Sequence, residues 1–328
     1  MSRCWLSSDK SVCSRMGKVR KHRRVGFFDM IGSRAKTPRV MAVSLLCLTV
    51  AISVCDNVTA QTPVVERNKL PADNSGDNLT EIVVIGKDLK NREQVRRLAA
   101  RITRDAGTQV PLARFYMPVC FTTFGLPMAL AETFSKRLVK NASEAGVTVA
   151  GAGCKPNSVI IFADDGHREL QLIRKKQSWL FGSLTPFEID RSINEPGPVH
   201  AWSSIEIRPS GSGGSIVVSA IRRDISSAFI VIDRQAAIGK TVRQLADYAT
   251  MRALAVIRAS GVDRGQDTIL TLFRSDQTAP PRELTPFDRG YLRESYFGEA
   301  NLKSSTKISQ IARRISKDAS AIDLPVAN

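Results

Sequence analysis

The residues best placed to do chemistry are Asp164, Asp165 and His167, in the run Asp164-Asp165-Gly166-His167. Two carboxylates and an imidazole at this spacing could bind a metal ion or move a proton. They follow the apolar run Ser158 to Ala163, which reads as a buried strand. The plainer alternative is a strand-to-helix turn, where Asp and Gly are the ordinary residues. No second cluster of ligand-type residues accompanies them, so no metal or cofactor is expected.

A second candidate is Gly239-Lys240-Thr241, which follows the apolar run Phe229 to Asp233 and precedes a helical pattern. A phosphate-binding loop needs another glycine five residues earlier, so that backbone N–H groups can curl around the phosphates. That position holds Arg234. The expected roles are therefore a loop end at Gly239 and a helix cap at Thr241. Pro209 to Ser215 (PSGSGGS) is glycine-rich but lies between two strand-like runs, which predicts a hairpin turn. His200 lies near Trp202 on a predicted strand and is expected to be structural. HExxH, Cys-x-x-Cys and Gly-x-Ser-x-Gly are all absent from the sequence, which excludes zinc sites of ordinary composition and the usual serine-hydrolase elbow.

Charge and cysteine usage place these residues in a compartment. The chain has 328 residues and a formal charge of +17. Residues 1–60 hold eleven basic residues against Asp9, Asp29 and Asp56, so the total charge does not argue for nucleic-acid binding. Val40 to Val54 is an uncharged apolar run with basic residues before it and Val58-Thr59-Ala60 after it. That is the layout of an export signal cut after Ala60. An uncleaved anchor through Val40 to Val54, tethering the chain to a membrane, is the alternative. Met30 or Met41 could be the true start. Cys4, Cys13, Cys47 and Cys55 fall in this leader, which leaves Cys120 and Cys154. A lone pair in an oxidising compartment is expected to form a disulfide.

The elements that must position these residues are mixed. Gln61 to Asn78 reads as a flexible linker and Glu81 to Ile85 as a short strand. Helices are predicted over 91–106, 127–146, 168–179 and 241–259, with a polar one around Ile308, Ile311 and Ile315. Strands are predicted at 158–163, 200–208, 216–222 and 229–233. The phrase Leu-Thr-Pro-Phe-acid occurs at 184–188 and again at 284–288. It is read as one helix-start device used twice: a Thr cap, Pro at the first helical position, and an acid at the third. The expected fold is α+β, a single mixed-sheet domain with packed helices. Its boundaries are 1–60 for the leader, 61–79 for the linker, 80–300 for the globular domain and 301–328 for a C-terminal helix and tail.

Two resemblances accompany this reading. Leu79 to Lys87 (LTEIVVIGK) resembles a TonB box, although the first strand of the domain is the better account. The order of Phe229 to Asp233, helix 241–259 and LTPFDRGYLRESYF resembles the second half of zincin-type metallopeptidases, where an edge strand leads to the HExxH helix. In that register Ala246 and Thr250 replace the metal histidines, Asp247 stands at the general base and Ala253 at the glycine. The resemblance implies a zincin-like half-domain that does not bind zinc in the usual way. The chain is also similar to a family of uncharacterised exported bacterial proteins with this ADYA-type helix. The functional expectation is an exported periplasmic or envelope protein with a non-catalytic binding or structural role, for an unknown protein or envelope ligand. The alternative is a hydrolase of unfamiliar type using Asp164, Asp165 and His167.

Overall fold

The computed structural model describes residues 91–322, apart from 105, 106, 212, 277 and 278. The leader, the linker, the TonB-box-like segment and the strand expected at Glu81 to Ile85 lie outside the described residues.

Four strands form one sheet in the order β1-β2-β4-β3. β1 (Phe121–Phe124), β2 (Ser158–Ala163) and β4 (Ile221–Asp233) run parallel, and β3 (Val199–Pro209) closes the sheet antiparallel to β4. The fold is therefore α+β with a mixed sheet. β1 escapes the sequence pattern because it is four residues long and half-buried throughout. The two strands expected at 216–222 and 229–233 are corrected to one. Residues 216–220 belong to the loop, Ile216 is fully open to solvent, and pairing with β3 carries β4 through the polar stretch Arg222 to Ser227. This topology also corrects the edge position assigned to Phe229–Asp233. Those residues lie between β2 and β3, and all but Asp233 are buried.

The helices start where local chemistry dictates. In α1 (Arg92–Ile102) the Asn91 side chain accepts from the Glu93 and Gln94 amides. This helix stops short of the predicted 106. Thr103 turns extended, and the chain pairs with the segment after α6: Arg104 N–H donates to Val256 O and Arg258 N–H to Ile102 O. α2 (Met128–Glu144) starts after Pro127 and ends near Gly146, whose φ of 79° suits glycine. α3 (Gly166–Lys176) begins two residues before the predicted start, because the Asp165 side chain accepts from the Arg168 amide. A short 3₁₀ turn, Ser178–Phe181, follows it.

α4 (Pro186–Ile193) and α7 (Pro286–Tyr296) carry the repeated device as full capping boxes, Thr185 with Glu188 and Thr285 with Asp288. Between them lie the short α5 (Arg234–Ala237) and α6 (Val242–Leu254), the latter also boxed by Thr241 and Gln244. α6 was expected to be amphipathic and to reach 259. It ends at Leu254, and every residue from Leu245 to Leu254 is buried. α8 (Ser304–Ile322) packs against α1 and α7. Gly290 of α7 makes that approach possible, since a Cβ there would meet Ile315 at 2.5 Å. The helix set apart in sequence as 301–328 thus contributes Ile308, Ile311 and Ile315 to the same core.

Alternation along the strands divides the interior by sheet face. Ile160, Phe162, Ile230 and Ile232 join the large core under α2 and α6. On the other face Phe229 stacks on Trp202, with ring centroids 4.9 Å apart, and Trp202 packs on Phe181 of the 3₁₀ turn. The buried indole N–H donates to Leu180 O at 3.1 Å. Among the described residues no helix is long and apolar enough to cross a membrane.

Cys120 and Cys154 are joined by a disulfide, with Cα atoms 6.1 Å apart. The link closes a loop containing β1 and α2 beside the start of β2. Asn157 braces it, accepting from Cys120 N–H and donating to Pro118 O. A bridge spanning 34 residues restricts the unfolded chain by about 3–4 kcal/mol on the chain-entropy estimate. The double variant Cys120→Ser, Cys154→Ser should lose stability on that order in urea denaturation. An unchanged midpoint would show that the bridge is unimportant.

Candidate functional site

The structure brings Asp164, Asp165 and His167 to the carboxyl end of β2, on an open turn. Asp164 is exposed and pairs with Arg234 across the end of β4, at 2.6 Å. Asp165 caps α3. His167 is exposed, with Nδ1 3.1 Å from Ile193 O. None of the three lines any of the cavities described below. Their local roles account for all three: a cap, a surface ion pair and a helix-to-helix tie. Gly166 between them is forced by crowding. Its N–H donates to Asp233 Oδ1, and a Cβ would sit 2.7 Å from that oxygen and 3.2 Å from His200. Among the described residues no three His, Cys, Asp or Glu side chains gather as a metal site requires.

Gly239-Lys240-Thr241 is not a phosphate cradle. The helix α5 separates it from β4, so the strand does not feed directly into the loop. Gly239 takes φ 78° at the loop end and Thr241 caps α6, while the Lys240 ammonium lies 5.5 Å from the Phe273 ring centre.

Asp247, at the general-base position of the zincin register, is wholly buried. Its carboxylate accepts from Arg137 Nε and Nη2 at 2.7 Å each, from Asn141 Nδ2 at 2.6 Å and from Leu284 N–H at 2.8 Å. Four donors occupy both oxygens, so this acid joins α2, α6 and the start of α7. The bidentate bond to Asp247 raises the Arg137 pKa. Thr250 Oγ1, at a metal-histidine position, donates to Ala246 O and accepts from Asn141. The cavity above this network, about 430 Å³, is lined by Arg137, Lys140, Arg289 and Arg293. Those cations meet carboxylates: Glu283 takes Arg137 and Arg289, Glu144 takes Lys140, and Asp318 takes Arg293.

A different cluster lies along the outer edge of β3, built around Glu195 in the turn Asn194 to Pro198. Arg252 Nη2 reaches both Glu195 oxygens, at 2.8 and 2.7 Å, and Arg104 stands 3.3 Å from Oε1. The three side chains are 6% (Glu195), 1% (Arg252) and 11% (Arg104) exposed. Glu195 also accepts from Ala201 N–H, and Arg104 reaches Ala201 O at 3.5 Å, so the pair occupies outward backbone groups of an edge strand. Arg252 Nη1 donates to the buried Tyr248 hydroxyl. Burial works against the Arg252 charge, but Glu195 outweighs it and the pKa is raised.

Outside this network opens a cleft of about 440 Å³ lined by Arg104, Arg191, Arg258, Asp190, Glu195 and the exposed ring of Phe187, among others. Asp190 is engaged by Arg174 from α3, and Glu195 by Arg252. Counting those two cations with the cleft gives five positive charges against two negative. The Arg191 guanidinium lies 5.8 Å from the Phe187 ring centre. Convergent guanidinium groups beside an aromatic ring suit a phosphate or carboxylate carried on an apolar body. Sequence reading missed this site, because Glu195 and Arg252 are 57 positions apart. The available signal was an arginine among apolar neighbours, Met251-Arg252-Ala253-Leu254.

Buried groups elsewhere in the fold also have shifted pKa values. Burial pushes the Asp288 carboxyl up to about 6, against the donors Thr268, Ile269 and Thr285. Burial lowers Lys307 to about 8, while its ammonium donates to Phe297 O just beyond the end of α7. His200 is buried, with Nδ1 3.3 Å from Ser192 O, and burial lowers its pKa below 6.5. The unfolded chain then binds more protons than the native one below pH 6.5. The His200 contribution is complete above that value and is lost as pH falls through it toward the native pKa. Between pH 7 and 5 the wild type should lose more stability than His200→Gln. Parallel pH profiles would contradict the assignment.

No protein-family model matches the chain, and no curated protein or solved structure is significantly similar to it.

Proposed function

We propose that this chain is an exported envelope protein whose folded unit is a non-catalytic binding domain, and that the arginine-lined cleft beside Glu195 holds an anionic ligand. The leader Val40 to Val54 and the Cys120–Cys154 bridge support the compartment. The observation that carries the binding reading is the charge at the cleft: Asp190 is engaged by Arg174 and Glu195 by Arg252 and Arg104, and Arg191 and Arg258 add two further positive charges around about 440 Å³ of space. The ligand class is a phosphate or carboxylate with an apolar or aromatic portion to lie on Phe187. The hydrolase expectation draws no support from the placement of Asp164, Asp165 and His167.

Tripolyphosphate is a sufficient probe for the charge component. At a hundredfold excess over its Kd, binding to the native state alone adds about 2.7 kcal/mol, a rise of roughly 5–10 °C in Tm for a domain of this size. The rise should shrink as salt is added, because the recognition is ionic. Absence of any rise at low salt would sink the reading.

A further inference from the structure

α3 and the 3₁₀ turn after it carry a row of exposed side chains on the side away from the sheet. The helix docks on the sheet through Leu170 and Ile173, and the turn docks through Leu180 and Phe181. At a helical rotation of 100° per residue, Arg168, Leu172, Lys175 and Lys176 fall within an arc of about 100° on the side away from Leu170 and Ile173. All four are exposed. Trp179 follows in the turn, with 54% of its surface open to solvent, and Leu172 is 38% open. Residues 166–181 carry Arg168, Arg174, Lys175 and Lys176 against Glu169 alone. Arg174 is turned to the side, where it holds Asp190 of α4.

We propose that this face is a docking surface for an anionic phospholipid bilayer. Charge complementarity selects the occupant. Lysine and arginine on one face attract acidic headgroups at about 1 kcal/mol each, and their alkyl stems lie along the apolar boundary while the charges stay in water. An exposed tryptophan has an apolar body and an N–H donor, which suits the headgroup level of a bilayer. Leu172 supplies apolar area beside it. The contact is that of a basic surface patch with an aromatic anchor, shallow and reversible rather than spanning. It stands independently of the cleft at Glu195.

Trp179 itself provides the test. The chain has three tryptophans, Trp5, Trp179 and Trp202, and Trp202 is buried in the Phe181–Phe229 stack. In a Trp5→Phe background of the full chain, emission comes from Trp179 and from Trp202, and the buried Trp202 is shielded from a membrane quencher. Vesicles of brominated phosphatidylglycerol should quench the exposed fraction. Brominated phosphatidylcholine vesicles should leave it unchanged. Lys175→Glu with Lys176→Glu should raise the lipid needed for half-maximal quenching at least about tenfold. The leader can bring the chain to vesicles by itself, so sedimentation is not the readout. Unquenched Trp179 on phosphatidylglycerol, equal quenching by both lipids, or quenching unaffected by the charge reversal would each overturn the proposal.

Discussion

Replacing Glu195 by alanine should lower stability by about 3–5 kcal/mol, because it strands a charge that cannot leave the interior. The Arg252 guanidinium is 1% exposed, and its Nη2 spends both close contacts on Glu195. Without the carboxylate, its remaining named partner is the Tyr248 hydroxyl, which is neutral. Arg104 loses the same partner but is nearer the surface and can turn toward solvent. Ala201 N–H on the β3 edge is orphaned as well. The charge makes the variant worse than an ordinary cavity, and a second substitution separates the two effects. Adding Arg252→Met removes the stranded cation while keeping an apolar chain of similar reach, so the double variant should recover a large part of the loss. Urea midpoints of the wild type, both single variants and the double variant give the coupling directly. Additive losses would show that the pair is not a unit.

Asp247→Ala should cost a similar amount, about 3–5 kcal/mol, by a different route. Here the stranded group is less the cation than the donors around it. Arg137 is 17% exposed and has Glu283 within 3.2 Å, so its charge keeps a partner. Leu284 N–H has no such substitute, and the buried Asn141 amide keeps only Thr250 Oγ1. The carboxylate is also the joint between α2, α6 and the loop into α7, so its removal should loosen the packing of those elements together. Asp247→Asn keeps the shape and one acceptor oxygen but loses the charge-assisted bonds, which predicts an intermediate loss of about 1.5–3 kcal/mol. If Asp247 were a working base, the asparagine variant would keep its stability. The order Ala worse than Asn worse than wild type, read from denaturation, distinguishes a structural acid.

These two networks mark the limit of what the sequence makes legible. Helix starts are written locally. Thr185, Thr241 and Thr285 each sit three residues before the group that completes the capping box; the spacing to the acid marks Thr185 and Thr285, and Thr241 is legible as a cap. The Cys120–Cys154 bridge was readable by elimination. The buried strand Ser158–Ala163 was readable from its unbroken apolar run. Nothing comparable marks β1, whose Phe121-Thr122-Thr123-Phe124 becomes a strand only through pairing with β2. β4 was split because the polar residues after Arg222 carry no strand pattern, whereas the β3 partner holds them extended.

α6 misled most. Its apolar residues predict one buried side only. In the fold Asp247 and Arg252 are buried too, and each charge finds a partner distant in sequence: Arg137 is 110 positions from Asp247 and Glu195 is 57 from Arg252. Burying a charge is tolerated only with a matched partner, and pairing across such distances leaves no periodic trace. The same reason hid the cleft. Its arginines come from the chain after α1, from α4 and from the segment after α6, and only the fold assembles them.

The most direct test of the binding account is isothermal titration of tripolyphosphate into the full chain at low salt, for the wild type and for Arg191→Ala with Arg258→Ala. Both arginines line the cleft, outside the Glu195–Arg252 pair, and the urea midpoint of the double variant is measured beside its affinity so that a loss of fold is separated from a loss of binding. The account predicts saturable binding to the wild type and at least about tenfold weaker binding to the variant, a loss of 1.4 kcal/mol or more. No saturable heat with the wild type, or equal affinity for both proteins, would contradict it.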